Sequence, residues 1–427
     1  MSASFARVSI SDLSVGTFLS SPVFDPSSAG TKLLGKNIRI TYQFIERLAA
    51  RGIESVVVNR RDLAMLKAGT PQGTRRHAEQ RDYVRISKST RATIPIDEQI
   101  VAEGFADELK IPITSVEERF GSVSSDRYDH SRMGYSVQRR EQQIHRLDES
   151  FDDLLKGGGP HEQSLADVCR TSIKSILEDR DMFLCLGLNP FDTDYPTRHS
   201  LHVSGIAIAI GMMLGLDETS LSDLGSGCLI HDIGMKQLSR PLHAQRGKLS
   251  NDELAELAAH PIFTLDALMR PGVRVSEAAR IVAYQVHERC NGSGYPRGRR
   301  SGEIHPLAKI AAVADAYVGL VSNRRHRKGL LPYFAIETIL HDVAAGCYDA
   351  KAVRGLLHAV SMFPIGSFVE TNDRQIARVV RANGEAYAQP VIEIWDPRHG
   401  QYEPELLNLS RQTSVRIVRA VRGPQVA

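Results

Sequence analysis

Six residues of this 427-residue chain have the types and order to gather around metal ions: His199, the adjacent pair His231-Asp232, His260, His287 and Asp315. A two-metal hydrolase needs several imidazole and carboxylate ligands converging from different elements. One ion must turn water into a hydroxide while the pair neutralises charge on phosphoryl oxygens. Imidazole and carboxylate without thiolate favour iron, manganese or a similar ion over structural zinc. His231-Asp232-Ile233-Gly234 sets the two ligand types side by side. Downstream, Asn291-Gly292-Ser293-Gly294-Tyr295-Pro296 reads as a rigid turn facing a phosphate-sized substrate, with Gly294, Tyr295 and Pro296 at the contact. Together they imply metal-dependent phosphodiester hydrolysis centred on His231 and Asp232.

Each residue also has a bland reading, since a lone helical histidine is usually a surface or hydrogen-bonded residue and the chain has 15 histidines. The sequence supplies a control. His341-Asp342 repeats the dipeptide but lacks the following glycine and lies beyond the ordered series, so it is expected to carry no chemistry. His305-Pro306 repeats His260-Pro261 but reads as a loop before a helix. The glycine-rich turn follows a helix rather than a strand, which makes it a poor dinucleotide fingerprint. Asp315, set among small apolar residues, would be costly to bury unpaired.

The elements that must position these residues follow from periodicity. Apolar residues recur at helical spacing over 165–177, 196–214, 220–232, 251–269, 276–288, 307–322 and 333–343, with Ser250 or Asn251 available as a cap. Five consecutive helices thus offer one candidate position each. Before them, residues 1–70 alternate short apolar runs with Gly and Pro around a helix near 42–51, and a polar linker with a connecting helix fills 71–160. The helical domain is expected over 161–360. Strand-like runs at Val369, 376–380, 391–394 and 415–418 form a β-rich extension over 361–427. The fold class is mainly α: a helical bundle with a small α+β N-terminal domain and a short β-rich C-terminal extension.

Composition narrows the class. With 42% hydrophobic residues the chain can bury a large core, and a formal net charge of +3 gives no basis for bulk nucleic-acid binding. Five cysteines without C-x-x-C spacing favour neither a disulfide framework nor a thiolate zinc site. No secretion signal and no membrane-length apolar run is read, so a cytoplasmic location is expected.

The stretch from about 164 to 360 resembles the HD-GYP domain, a subgroup of the HD phosphohydrolase superfamily. The resemblance is carried by His231-Asp232-Ile233-Gly234, His260-Pro261, His287-Glu288 with Asn291 to Pro296, and Val313-Ala314-Asp315. The N-terminal segment is similar to the module that often precedes that domain. The resemblance implies a helical, metal-dependent phosphodiesterase that hydrolyses cyclic di-GMP to pGpG or GMP. It puts His199, His231, Asp232, His260, His287 and Asp315 on metal-ligand positions, with Asp232 bridging two ions, and Arg324 and Arg327 against substrate phosphates. Met235 stands where the family has Lys, with Lys236 pointing elsewhere, and Val286 where it has a further His. Tyr195 replaces the Glu of three-metal members, implying two ions rather than three; Val318 and Thr264 also depart from the pattern without being expected ligands. These departures motivate an alternative: a catalytically weak domain that senses cyclic di-GMP or binds a partner such as a diguanylate cyclase. A homodimer is a further expectation.

Overall fold

The computed structural model describes residues 5–10, 13, 18–26, 31–35, 38–40, 44, 48, 51, 53–63, 94–105, 130–156, 162–186, 195–242, 249–323, 329–383, 386–394, 406–412 and 414–421. Contacts divide the chain into two compact units, Met1–Val84 and Arg85–Ala427.

In the first unit, β1 (Phe5–Ser9), β3 (Val23–Phe24), β4 (Lys32–Leu34) and β6 (Ser55–Asn59) form an antiparallel sheet ordered β1-β6-β3-β4, while β2 (Phe18–Leu19) pairs with β5 (Ile38–Arg39). Val56, Val57 and Val58 are all buried, so β6 is covered on both faces. Phe44 and Leu48 are helical and join this core; the remaining residues of the expected 42–51 helix lie outside the described ones. Buried Asp62 accepts from the backbone amides of Ser20 and Ser21 and from the Ser20 hydroxyl at 2.6 Å, bringing that end of the chain onto the sheet.

The second unit is mainly helical. Its elements are α1 (Pro95–Glu103), α2 (His130–Leu155), α3 (Glu162–Leu186), α4 (Thr197–Met213), α5 (Glu218–Ile230), α6 (Asn251–Leu268), α7 (Glu277–Gln285), α8 (Pro306–Val321), α9 (Pro332–Ala344) and α10 (Ala350–Val360). One apolar core runs from Ile144 to Val360. Helix α4 is buried along almost its whole length, because α3, α5, α8 and α10 pack around it. Helix starts match their sequence signals: Asp217, Ser276 and Asp349 each accept a hydrogen bond from a first-turn amide. At α6 the cap is Ser250, which accepts from the Glu253 amide while the Glu253 carboxylate accepts from the Ser250 amide at 2.6 Å.

Helices α1 and α10 are not anticipated by the sequence, and α2 lies in the stretch expected to hold a polar linker and a connecting helix. α2 is polar on its exposed face, and its buried stripe is sparse: Ile144, Leu147, Phe151 and Leu154. The C-terminal strands β7 (Phe368–Thr371), β8 (Ile376–Arg381), β9 (Val391–Ile394), β10 (Leu406–Asn408) and β11 (Ile417–Val421) form an antiparallel sheet ordered β10-β9-β8-β7-β11. Strand β10 had not been expected. The sheet is tied to α3 where that helix breaks: Asp179, with non-helical backbone, binds Arg381 at 2.6 Å, and Asp181 accepts from the Ala382 amide at 2.9 Å.

Candidate metal centre

Local backbone physics aims the first imidazoles. His231 caps the C-terminus of α5, where the last carbonyls have no helical donor, and its Nδ1 donates to the Cys228 carbonyl at 2.7 Å. On α6, Pro261 has no amide to offer Leu257, and the Nδ1 of His260 donates to that carbonyl at 2.7 Å instead. A carbonyl can only accept, so both rings carry their proton on Nδ1 and turn Nε2 toward the interior.

Those nitrogens meet one carboxylate. Asp232, 1% exposed, has Oδ1 3.2 Å from His260 Nε2 and 3.5 Å from His287 Nε2. Its Oδ2 lies 3.4 Å from His231 Nε2 and 3.8 Å from His199 Nε2. Asp315, from α8, closes the cluster at 3.2 Å from both His199 Nε2 and His287 Nδ1, so the aspartate among small apolar residues is indeed paired. Nε2 of His231, His260 and His287 and Oδ1 of Asp232 are buried without a well-aligned hydrogen bond. Distances are right and angles wrong for hydrogen bonding, as when lone pairs aim at a shared point rather than at each other. Two compact triads fit an ion: His199-His231-Asp315 and His231-Asp232-His287. His260 stands just outside the second, against the same Oδ1.

Charges in the cluster are strongly coupled. Burial by itself would raise Asp232 and Asp315, but the surrounding imidazoles hold both well below the usual carboxylate range. Burial would depress His231, yet adjacent Asp232 and nearby Asp315 draw it up to about 9. His287 is likewise raised against its burial by Asp315 and Asp232, whereas for His260 burial wins and the value falls. Asp232, buried, and Asp315, partly buried, thus call for positive charge, and with the imidazoles around them they fit a site for divalent cations.

Two glycines permit the close packing. A Cβ on Gly234 would lie 2.2 Å from the His260 carbonyl; instead the Gly234 amide donates to the Thr264 hydroxyl, which donates to the His231 carbonyl at 2.8 Å. Thr264, expected to bind no metal, therefore pins the turn after His231-Asp232 to α6. A Cβ on Gly294 would lie 2.5 Å from the His287 carbonyl, so the loop folds flat on the backbone that carries His287. Gly294 and Pro296 are buried, while Tyr295 is partly exposed and stacks on the His287 ring at 4.8 Å and 16°. Glu288 binds the amides of Arg297, Gly298 and Arg299 at 2.8–3.1 Å, closing the loop.

The departures have clear positions. Met235 and Val286 are buried, Val286 and Val318 within the apolar core. Lys236 points away, to Asp148 and Asp152 of α2 at 3.0 Å each. Arg324 and Arg327 lie outside the described residues. His341 sits exposed on α9, and His305 caps α8, both apart from the cluster. Tyr195, read only as a missing glutamate, donates its hydroxyl to Asp232 Oδ2 at 2.5 Å. Its place one turn before His199 was the available signal. Among the described residues, no helix is long and apolar enough to cross a membrane.

Part of the chain is similar to known proteins. The family model for the HD domain matches residues 185–352. A cyclic di-GMP phosphodiesterase of Pseudomonas aeruginosa is 26% identical over 245 residues, 57% of this chain and 58% of that protein. Another cyclic di-GMP phosphodiesterase, from Borreliella burgdorferi, is 25% identical over 44% of this chain and 48% of its own length. A 3'3'-cGAMP-specific phosphodiesterase of Vibrio cholerae is 26% identical over 40% of this chain and 36% of its own length. The matched regions thus span about half or less of each relative. His199, His231, Asp232, His260, His287 and Asp315 all fall within 185–352, the segment that the HD-domain model matches.

Proposed function

We propose that this chain is a metal-dependent phosphodiesterase that hydrolyses cyclic di-GMP to pGpG or GMP, using two divalent ions, iron or manganese. The observation that carries the reading is the placement of Asp232 between two imidazole sets, Oδ1 toward His260 and His287 and Oδ2 toward His231 and His199. Asp232 would thus be within reach of both ions, and groups with the half its Oδ1 faces. His199, His231 and Asp315 would hold one ion, and Asp232, His260 and His287 the other.

Bound there, the ions supply an acidified water and neutralise charge building on the phosphoryl oxygens. The protein's part is orientation. Bonds from His231 and His260 to the Cys228 and Leu257 carbonyls fix which nitrogen faces the centre. The Tyr195 hydroxyl holds Asp232 Oδ2, restricting rotation of the shared carboxylate. Tyr295, stacked on His287 and partly exposed, offers an aromatic face beside the centre on which a purine base can stack. Arg324 and Arg327 remain the residues we assign to the substrate phosphates. The relatives' names support the substrate class, with 3'3'-cGAMP as the nearest competitor.

The test is incubation of protein loaded with Mn2+ or Fe2+ with cyclic di-GMP, following linear product, beside Asp232→Ala and His231→Ala. Product from the wild type and none from the variants is expected. A folded, metal-loaded wild type that leaves both cyclic di-GMP and 3'3'-cGAMP intact overturns the enzymatic reading. One feature favours the alternative of a cyclic di-GMP sensor: Met235 is buried and Lys236 is engaged with α2, which leaves this turn no cation for a phosphate. Nucleotide binding without turnover is its signature.

A further inference from the structure

Helix α1 lies ahead of the HD domain in sequence, yet it is packed against the elements that carry half of the metal centre. Pro95 opens the helix, and Asp97, 2% exposed, accepts the Ile94 amide at 3.2 Å as an N-terminal cap. The same carboxylate accepts from the Tyr284 hydroxyl at 2.8 Å, from Arg297 Nε at 3.0 Å and from an Arg299 guanidinium nitrogen at 2.6 Å. One side chain thus ties the start of α1 to the end of α7 and to the loop after His287. Burial alone would raise the Asp97 carboxyl, but these donors hold it below its usual range, so it is a full anion between two guanidiniums.

The attachment continues along the helix. Ile94 and Ile96 pack on Ile262, Leu265 and Tyr284; Ile262 is two residues beyond His260 on α6. Past the C-terminus, the Phe105 amide donates to the Gly302 carbonyl at 3.0 Å and its ring meets His305 edge-on at 4.9 Å. On the other side, Arg297 and Arg299 give their backbone amides to Glu288, the residue after His287. A connected path of buried bonds therefore runs from Asp97 through Arg297 and Arg299 to Glu288 and the neighbouring His287. α1 thus reaches the backbone next to both imidazoles that face Asp232 Oδ1, at Ile262 and, through the loop, at Glu288.

We propose that α1 is a strap that sets the His260–His287 half of the metal centre, with Asp97 as its positioning residue, so that releasing the strap weakens the ion held by that half. The inference rests on the metal-centre reading above and goes beyond it by making ion occupancy answer to a segment outside the matched domain. Asp97 touches neither substrate nor candidate ligand, so its effect passes through the loop. A cation at the half nearer His199 and Asp315 is little affected.

The test is Asp97→Asn in the full chain, an isosteric change that removes the charge and turns an amide nitrogen toward guanidiniums, with exposed Val101→Ala on the same helix as control. Two readouts are independent of turnover. Amide hydrogen exchange at Arg297, Gly298 and Arg299 is expected to accelerate about tenfold or more. Mn2+ titration is expected to show one site unchanged and the second weakened about tenfold. If the variant does not fold, Arg297→Gln loosens the same tie from the loop side and is read the same way. A folded variant with wild-type exchange in the loop and two wild-type Mn2+ sites overturns the strap. A wild type that takes up no Mn2+ overturns the metal centre instead, a separate failure.

Discussion

The Leu257 carbonyl is bonded by the imidazole of His260 because Pro261, the residue that would normally donate to it, has no amide hydrogen. The His-Pro dipeptide is thereby a device for fixing a tautomer: proline costs the helix one backbone bond, and the histidine replaces it with its Nδ1. What remains is an Nε2 aimed at Asp232 from 3.2 Å.

Replacing Pro261 with Ala restores a competing backbone donor for Leu257 and relieves the steric cost of proline in a helix. Thermal or denaturant unfolding is expected to show stability gained by about 1 kcal/mol or more. Mn2+ affinity should nevertheless fall, about tenfold, because His260 loses its fixed tautomer. Opposite signs in the two measurements are the signature. If stability and metal affinity rise together, the proline has no orienting role.

Tyr195→Phe removes only the hydroxyl that binds Asp232 Oδ2. A buried carboxylate that loses one donor costs about 1–3 kcal/mol, partly recovered when a cation is bound. Metal-loaded Tyr195→Phe should therefore approach the wild type in melting temperature more closely than the apo protein does. A deficit of equal size with and without Mn2+ would mean the hydroxyl does not serve the centre.

Much of this arrangement was legible in the primary structure. Helices α3 to α9 are readable from apolar residues recurring at helical spacing, and the cluster residues from imidazoles and carboxylates recurring in order along the same stretch. Helix α1 escaped notice for the opposite reason. Its nine residues, Pro95–Glu103, fully bury only Ile100 among their apolar side chains, and the partners of Asp97 lie some 200 residues away, a pairing no local pattern encodes. At Tyr195 ligand types alone register a missing carboxylate and not a phenol that bonds to the carboxylate already present. Thr264 likewise reads as an idle replacement in the sequence, whereas its hydroxyl accepts from the Gly234 amide and donates to the His231 carbonyl.

Gly234→Ala probes that packing. Its methyl would fall 2.2 Å from the His260 carbonyl and 2.7 Å from the Thr264 amide, both backbone atoms of α6. The turn must move away from the helix, separating Asp232 from His260. A loss of about 1–3 kcal/mol in stability is expected, with Mn2+ binding reduced at the site shared by Asp232 and His260. Gly234→Ala with both properties unchanged would mean that the close approach is not required.

His305 gives a pH dependence separate from the metal cluster. Its Nδ1 accepts the Leu307 amide as the cap of α8, which only the neutral ring can do, and Phe105 covers one edge. Burial, helped by Lys309, lowers its value from 6.5 to about 4. The unfolded chain therefore takes up a proton near pH 6.5 that the folded chain refuses until about pH 4. Stability from this group is complete above the higher value, declines as pH falls between the two, and does not decline further below the lower one. Allowing for partial exposure, the loss is on the order of 2 kcal/mol. His305→Asn keeps a side-chain acceptor at the cap and cannot titrate, so denaturant unfolding of this variant should show a shallower decline across that interval. An unchanged slope would assign the acid sensitivity of the fold to other groups.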